Sequence, residues 1–253
     1  MRLLQILLGA ITVAIARADD NPMAFHSSAR QTALLELYTS EGCSSCPPAE
    51  TWLSHLVESP RLWQDFVPVT FHVDYWDHLG WRDPLGAEVF SDRQRSYAAS
   101  WRSARIYTPE FVLNGKEWRS WATRKDVPEN SSAGAGVLSV TSTNMGRWQV
   151  HFSPMPNDKR EFEIHACLLA SGVKIDVKAG ENEGKRLTHD FAALSLTEVL
   201  MTRRDNGFEC KLYLPTPTNA SSRLAIAVWI TEPGKLEPIQ ATGGWLPKSI
   251  TKP

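Results

Sequence analysis

Two cysteines three residues apart are the part of this sequence best suited to chemistry, in the order Cys43-Ser44-Ser45-Cys46. If a helix begins at this motif, its unpaired backbone N–H groups and its dipole favour a thiolate at the first sulfur. The second sulfur then lies close enough to attack a mixed disulfide formed on the first. We therefore predict a redox-active pair, with Cys43 as the nucleophile and Cys46 as the resolving cysteine.

The sequence around the motif predicts a strand, a cysteine-bearing turn and a helix. An apolar run from Thr32 to Thr39 precedes the polar turn Ser40-Glu41-Gly42, which is typical of a buried strand. Apolar residues then recur at helical spacing from Ala49 to Val57. Pro47 and Pro48 are tolerated in a first turn, where the backbone N–H groups have no helical acceptor.

Pro109 is predicted to face the cysteine pair. Residues 67–75 alternate as a second strand, residues 86–105 read as a second helix, and residues 107–115 form an apolar strand that is entered through Pro109. In thioredoxin folds, a proline at this place downstream of a CxxC motif forms a cis-proline loop against the active disulfide. The alternative is an ordinary trans proline at the start of a strand.

Glu36 is the candidate proton acceptor for Cys46. It lies between Leu35 and Leu37 on the strand that leads to the motif, and it is buried if both faces of that strand are covered. A buried carboxylate has a raised pKa, which suits a base working near neutral pH. The alternative is an edge residue pointing to solvent.

A metal-binding function is the runner-up. The same CxxC motif could capture a soft ion such as Cu(I), with help from His72, which alternates with Asp74 on the second strand. Zinc and iron–sulfur sites need further ligands at related spacing, and the sequence has no second CxxC motif. The primary interpretation requires no cofactor and no metal, and a third interpretation is a non-catalytic structural protein.

Cys167 and Cys210 each fall inside a predicted strand. A structural disulfide between them suits an exported domain, whereas two buried free thiols are the other interpretation because cysteine packs well as a small apolar residue. The sequence leaves both interpretations open.

The beginning of the chain resembles a signal peptide over residues 1–18. Arg2 precedes an apolar run that is too short to span a membrane, and Ala16-Arg17-Ala18 suits cleavage after Ala18. We expect an exported protein, periplasmic or secreted, without stable membrane insertion after cleavage. The 27 basic and 28 acidic residues are spread along the chain, which argues against nucleic-acid partners. Protein or small thiol and disulfide substrates are the expected partners, and the oligomeric state stays open.

The composition divides the mature chain into two predicted domains. Residues 30–125 carry the α/β pattern, residues 126–146 are rich in Ser, Gly and Ala and predict a linker, and residues 147–250 contain seven short strand-like segments. The predicted fold class is an α/β thioredoxin-like domain followed by a smaller all-β, sandwich-like domain.

Three segments of the chain closely resemble an exported thioredoxin-like family catalogued as domain of unknown function 1223. They are residues 35–49 around the cysteines, residues 72–81 with His72-Val73-Asp74-Tyr75-Trp76-Asp77, and residues 107–115; residues 180–188 are similar to that family's second-domain signature. The resemblance implies a thioredoxin-like fold with an appended β domain and a presumed thiol–disulfide activity. The chain differs from ordinary thioredoxins in lacking a Trp before Cys43 and in an insertion of about thirty residues after the second strand.

Overall fold

The strand that precedes the cysteines lies in the middle of the largest sheet. The structure is a computed structural model, and it describes residues 23–129, 133–144, 146–215 and 222–247. All seven residues of β2 (Ala33–Thr39) are buried, because neighbouring strands and helices cover both of its faces. β2 pairs in parallel with β3 (Phe66–His72) and antiparallel with β4 (Glu110–Leu113), and α1 (Pro47–Ser54) connects β2 to β3.

The described residues form sixteen strands and two α-helices. The predicted second helix is confirmed as α2 (Glu88–Ser100), which is shorter than the pattern suggested, and α1 continues into a short 3-10 helix over His55–Glu58. The remaining elements are β1 (Ala24–His26), β5 (Lys116–Glu117), β6 (Val137–Asn144), β7 (Arg147–Ser153), β8 (Glu163–Ser171), β9 (Val173–Asp176), β10 (Arg186–His189), β11 (Ala192–Ala193), β12 (Thr197–Leu200), β13 (Thr202–Arg204), β14 (Gly207–Tyr213), β15 (Arg223–Thr231) and β16 (Gln240–Trp245), with further 3-10 helices at Asp77–Leu79 and Arg119–Thr123.

A two-residue strand joins the two halves of the chain into one sheet. Ala192 in β11 pairs in parallel with Thr70 of β3 and antiparallel with Ala170 of β8. The backbone N–H of Thr70 also donates to the carbonyl oxygen of Phe191 at 2.8 Å. The order is therefore β16-β15-β8-β11-β3-β2-β4-β5, and β12 adds to β8 as the ninth strand.

The prediction of an α/β thioredoxin-like domain followed by a separate sandwich is wrong. The described residues are mostly β, with about 41% of them in strands and about 15% in helices, and they form several sheets. The physical reason is that β3 is not an edge strand: it pairs with β2 on one side and with β11 on the other. Its open hydrogen-bonding groups are satisfied by β11, so strands from the second half extend the sheet that begins in the first half.

A second sheet, in the order β1-β6-β7-β14-β13, packs against the extended part of the first. Its strand β6 lies within residues 126–146, where we expected a linker. Successive residues of β8 serve two cores: Cys167 and Leu169 contact the core around β2, whereas Ala166 and Leu168 contact the core shared with the second sheet.

The predicted signal peptide, residues 1–18, lies outside the described residues. Among the residues that the structure does describe, no helix has the length and apolar character needed to cross a membrane.

Candidate active site

Cys43 and Cys46 are joined by a disulfide bond at the start of α1. Cys46 is the N-cap residue of the helix, and its carbonyl oxygen accepts the N–H groups of Ala49 and Glu50. Both cysteine side chains are buried, with Cys43 only 1% exposed. The sequence thus identified a pair that forms a cross-link at a helix N-terminus.

The helix offers the sulfurs fewer donors than the sequence pattern suggested. Pro47 and Pro48 occupy the first two helical positions and have no N–H group. The hydroxyl group of Ser45 takes this place instead, because its Oγ lies 3.3 Å from Cys43 Sγ and 3.4 Å from the carbonyl oxygen of Thr108. The single hydroxyl proton can therefore be donated to the carbonyl in the disulfide state and to the sulfur once Cys43 is a thiolate.

The Pro109 loop lies beside the cysteine turn, because Ser45 Oγ is 3.4 Å from the carbonyl oxygen of Thr108. The Thr108–Pro109 peptide bond is cis. The indole Nε1 of Trp76 donates to Thr108 Oγ1 at 2.9 Å, and the backbone of Gly42 packs so closely on Trp76 that an added Cβ would lie 2.9 Å from the Trp76 Cβ. Trp76 therefore holds the cysteine turn and the proline loop together.

A loop from the second half of the chain lies on the cysteine turn. Glu181 Oε2 accepts hydrogen bonds from the backbone N–H of Ser44 at 2.9 Å and from its hydroxyl at 2.7 Å, and these bonds lower the pKa of Glu181. The amide Nδ2 of Asn182 donates to the carbonyl oxygens of Glu41 and Cys43, at 2.9 and 2.8 Å. We call residues 177–185, which connect β9 to β10, the covering loop.

Sequence reasoning missed Glu181 and Asn182 as site residues. They lie nearly 140 positions from the cysteines, so no local pattern connects them. The one available signal was the similarity of residues 180–188 to a family signature, and it assigned no role to either side chain.

Glu36 is buried as expected, but it is not brought to the disulfide. Its carboxylate pairs with the Arg93 guanidinium at 2.7 Å and accepts the Tyr97 hydroxyl at 2.5 Å, and both partners belong to α2. Thr39, on the opposite face of the same strand, bonds instead to Glu50 of α1. Since α1 carries the disulfide, the role of proton acceptor for Cys46 does not fit Glu36.

Five buried ionisable residues lie beside the cysteine turn on the α1 face of the sheet. His72 Nδ1 contacts Asp83 Oδ2 at 2.8 Å, His189 Nε2 lies 2.5 Å from Glu41 Oε1, and His189 Nδ1 lies 3.3 Å from Glu50 Oε2. We call these five residues the buried polar cluster. Asp74, the other polar residue singled out beside His72, bonds to Ser91 and is not part of it.

Charges within the buried polar cluster depend on one another. Burial opposes ionisation of Glu50, but the contact with His189 lowers its pKa, and His72 does the same for the pKa of Asp83. Burial likewise opposes protonation of His189, yet Glu41 and Glu50 raise its pKa to about 10.

Cys167 and Cys210 are free thiols, so the structure does not contain the disulfide that was one of the two interpretations. Cys167 contacts the core around β2, whereas Cys210 packs in the core between the two sheets. Burial raises the pKa of both thiols, which keeps them protonated and chemically quiet.

Glu110, which follows Pro109, is a buried carboxyl group with a raised pKa. Burial is the main cause that raises its pKa from 4.5 to about 7. Between these values the folded state holds a proton that the unfolded chain has released, so stability falls as the pH rises through this window and levels off above it. Across this window we expect the free energy of unfolding of Glu110→Gln to fall by about 1 to 3 kcal/mol less than that of the wild type, after allowance for solvent screening.

Urea unfolding at pH 5 and pH 8 measures this effect. The stability difference between the wild type and Glu110→Gln should change by that amount between the two pH values, whereas the exposed Glu58→Gln should follow the wild type. A parallel pH dependence for Glu110→Gln and the wild type would contradict the prediction.

Comparisons with known proteins assign this chain to a family. A crystal structure of protein AGR_C_4864 from Agrobacterium tumefaciens is similar with a TM-score of 0.60 at 22% identity, covering 87% of this chain and 95% of that one. HBP35 of Porphyromonas gingivalis gives a TM-score of 0.57 at 10% identity, covering 87% of this chain and 76% of that one. At these identities the similarity concerns the fold alone. A comparison with curated proteins finds no match. The sequence profile of the family described as "Protein of unknown function (DUF1223)" matches residues 34–231, and the chain therefore belongs to this family.

Proposed function

We propose that the protein is a thiol–disulfide oxidoreductase that uses the Cys43–Cys46 couple. The observation that carries the proposal is the arrangement around the pair: a disulfide at the first turn of α1, with the Ser45 hydroxyl beside Cys43 Sγ and the Pro109 loop alongside. The helix dipole and this hydroxyl both favour negative charge on the Cys43 sulfur after reduction. Proteins or small molecules that carry a thiol or a disulfide are the proposed substrates.

The proposed reaction moves two electrons through one mixed disulfide. In the reducing direction, the Cys43 thiolate attacks one sulfur of a substrate disulfide, forms a bond to it and expels the other sulfur as a thiolate. The Cys46 thiolate then attacks Cys43 Sγ, restores the Cys43–Cys46 bond and releases the second substrate thiolate. The oxidising direction is the reverse, in which a substrate thiolate attacks the disulfide at Cys43.

The size of the cross-linked loop supports a chemical role over a structural one. The bond joins residues only three positions apart. In the chain-entropy account a loop this short contributes about 2 kcal/mol, less than a disulfide across a long loop. We also propose that the protein acts outside the cytosol, because disulfides persist there and exchange partners are abundant.

Trapping of the mixed disulfide tests the function. In a background where Cys167 and Cys210 are Ala, Cys46→Ser keeps the attacking sulfur but cannot release a bound substrate. We expect Cys46→Ser to accumulate mixed disulfides with a test protein that has been oxidised by glutathione disulfide. We expect Cys43→Ser to accumulate far fewer. Equal amounts of mixed disulfide in the two variants, or none in either, would contradict the proposal.

Ser45→Ala tests the hydroxyl group beside the sulfur. A hydrogen bond to a charged group contributes about 1.5 to 3 kcal/mol, so its loss should slow alkylation of Cys43 by iodoacetamide about tenfold at neutral pH. The measurement uses reduced protein in which the other three cysteines are Ala. Ser45→Thr keeps a hydroxyl and should restore most of the rate; an unchanged rate in Ser45→Ala would show that the contact has no role in reactivity.

A further inference from the structure

Two histidines of the buried polar cluster each have one ring nitrogen against a carboxylate. His72 Nδ1 lies 2.8 Å from Asp83 Oδ2, and Asp83 is itself fixed by the backbone N–H groups of Glu41 and Leu85. His189 Nε2 lies 2.5 Å from Glu41 Oε1. Histidines that bind metals are oriented in this manner, because a carboxylate at one nitrogen leaves the other nitrogen free to act as a ligand.

Glu50 lies beside both histidines. His72 Nε2 is completely buried and has no hydrogen-bond partner, and the buried His189 Nδ1 has Glu50 Oε2 beside it at 3.3 Å. One donor atom from each of Glu50, His72 and His189 lies within 4.8 Å of the other two, and the two imidazole rings stand nearly perpendicular with their centres 4.9 Å apart. Buried polar atoms are normally satisfied, so the unpartnered His72 Nε2 in a group with Glu50 and His189 indicates a missing ligand.

We propose that His72, His189 and Glu50 bind a divalent first-row transition-metal ion such as Zn²⁺, without any cysteine. Two nitrogens and a carboxylate oxygen form a donor set that these ions prefer, whereas Mg²⁺ and Ca²⁺ prefer oxygen ligands alone. This proposal is independent of the thiol–disulfide activity, because its ligands include neither Cys43 nor Cys46.

One distance within the cluster matches a tetrahedral ion. Ligand atoms about 2.0 to 2.1 Å from a tetrahedral Zn²⁺ are about 3.3 Å apart, and His189 Nδ1 lies 3.3 Å from Glu50 Oε2. The other oxygen of Glu50 is occupied, because Oε1 accepts the Thr39 hydroxyl at 2.5 Å. Three protein ligands leave the fourth position for a water molecule or an exogenous ligand.

The charge of the cluster is compatible with a divalent cation. Glu41, Glu50 and Asp83 bring three carboxylates into the protein interior, and within the described part of the chain their ion pairs go only to His72 and His189. Two histidines cannot carry more charge than two protons, so the carboxylates outnumber the positive charges. A divalent ion bound to the two neutral imidazoles takes over the two positive charges that protons on the histidines otherwise supply.

Titration of the chelator-stripped chain with Zn²⁺ alone tests the proposal. We expect one equivalent to bind by calorimetry, no binding of Mg²⁺, and the same Zn²⁺ binding in Cys43→Ser/Cys46→Ser. His189→Gln should weaken binding at least a hundredfold, and Asp83→Asn about ten- to a hundredfold, because it removes only the carboxylate behind His72. His165→Gln is the matched control, since this buried histidine has both nitrogens partnered, by Glu198 and Thr231.

X-ray absorption of the Zn²⁺-loaded wild type decides the ligand type even if a histidine variant fails to fold. Nitrogen and oxygen ligands at about 2.0 Å with no sulfur at about 2.3 Å are expected. Absence of Zn²⁺ binding to the wild type, sulfur in the coordination shell, or unchanged binding in a folded His189→Gln would overturn the proposal. Loss of metal binding with retained disulfide exchange would remove this site and leave the proposed function in place.

Discussion

Replacing Asn182 with Ala is expected to accelerate the reduction of the Cys43–Cys46 disulfide by dithiothreitol by about one to two orders of magnitude. The Asn182 amide donates two hydrogen bonds that hold the covering loop on the backbone of Glu41 and Cys43. Each such bond contributes about 0.5 to 1.5 kcal/mol, and Cys43, whose carbonyl oxygen accepts one of them, is only 1% exposed. Easier opening of the loop therefore raises the fraction of molecules in which a thiol reaches the disulfide.

The rate is measured by quenching aliquots with an alkylating reagent and counting modified cysteines by mass spectrometry. Glu183→Gln changes an exposed side chain of the same loop and serves as the control. Equal rates for Asn182→Ala and the wild type would mean that the covering loop does not limit access to the disulfide.

Replacing Arg93 with Met is expected to destabilise the protein by about 3 to 5 kcal/mol. The Arg93 guanidinium is the ion-pair partner of Glu36, and both side chains are almost completely buried. The guanidinium also lies over the rings of Tyr97 and Trp229. Removing it leaves a carboxyl group in the interior of the protein without its compensating charge, which is the costly way to break a buried pair.

Urea unfolding of the wild type, Arg93→Met and the double variant Arg93→Met/Glu36→Leu tests this account. The double variant should recover most of the lost stability, because it removes the stranded carboxyl as well. Arg95→Met is the control, because Arg95 and its partner Asp92 are both exposed. It should change the free energy of unfolding by less than about 1 kcal/mol. A double variant no more stable than Arg93→Met would contradict the ion-pair explanation.

Local patterns predicted the elements that carry the cysteine pair, and they did so for a physical reason. The apolar run of β2, the helical spacing of α1 and α2 and the strand after Pro109 are set by residues close in sequence. The fold class was wrong because the joint between the two halves, Ala192–Ala193, is only two residues long and has no periodicity.

The contents of the site depended on contacts that sequence spacing does not encode. Asn182 and His189 reach the cysteine turn only because the β9–β10 hairpin folds onto it. Burial of Glu36 could be predicted from its neighbours, but its pairing with Arg93 could not, since that depends on which face of β2 is covered by α2.

The reduction potential of the Cys43–Cys46 couple tests the proposed thiol–disulfide activity most directly. It is measured by equilibrating the protein in glutathione buffers and alkylating the thiols, with Cys167 and Cys210 replaced by Ala so that one couple reports. We predict a single two-electron transition above about −250 mV, in the range of proteins that exchange disulfides with partners. A potential far below −300 mV is typical of a structural disulfide and would contradict the proposed activity.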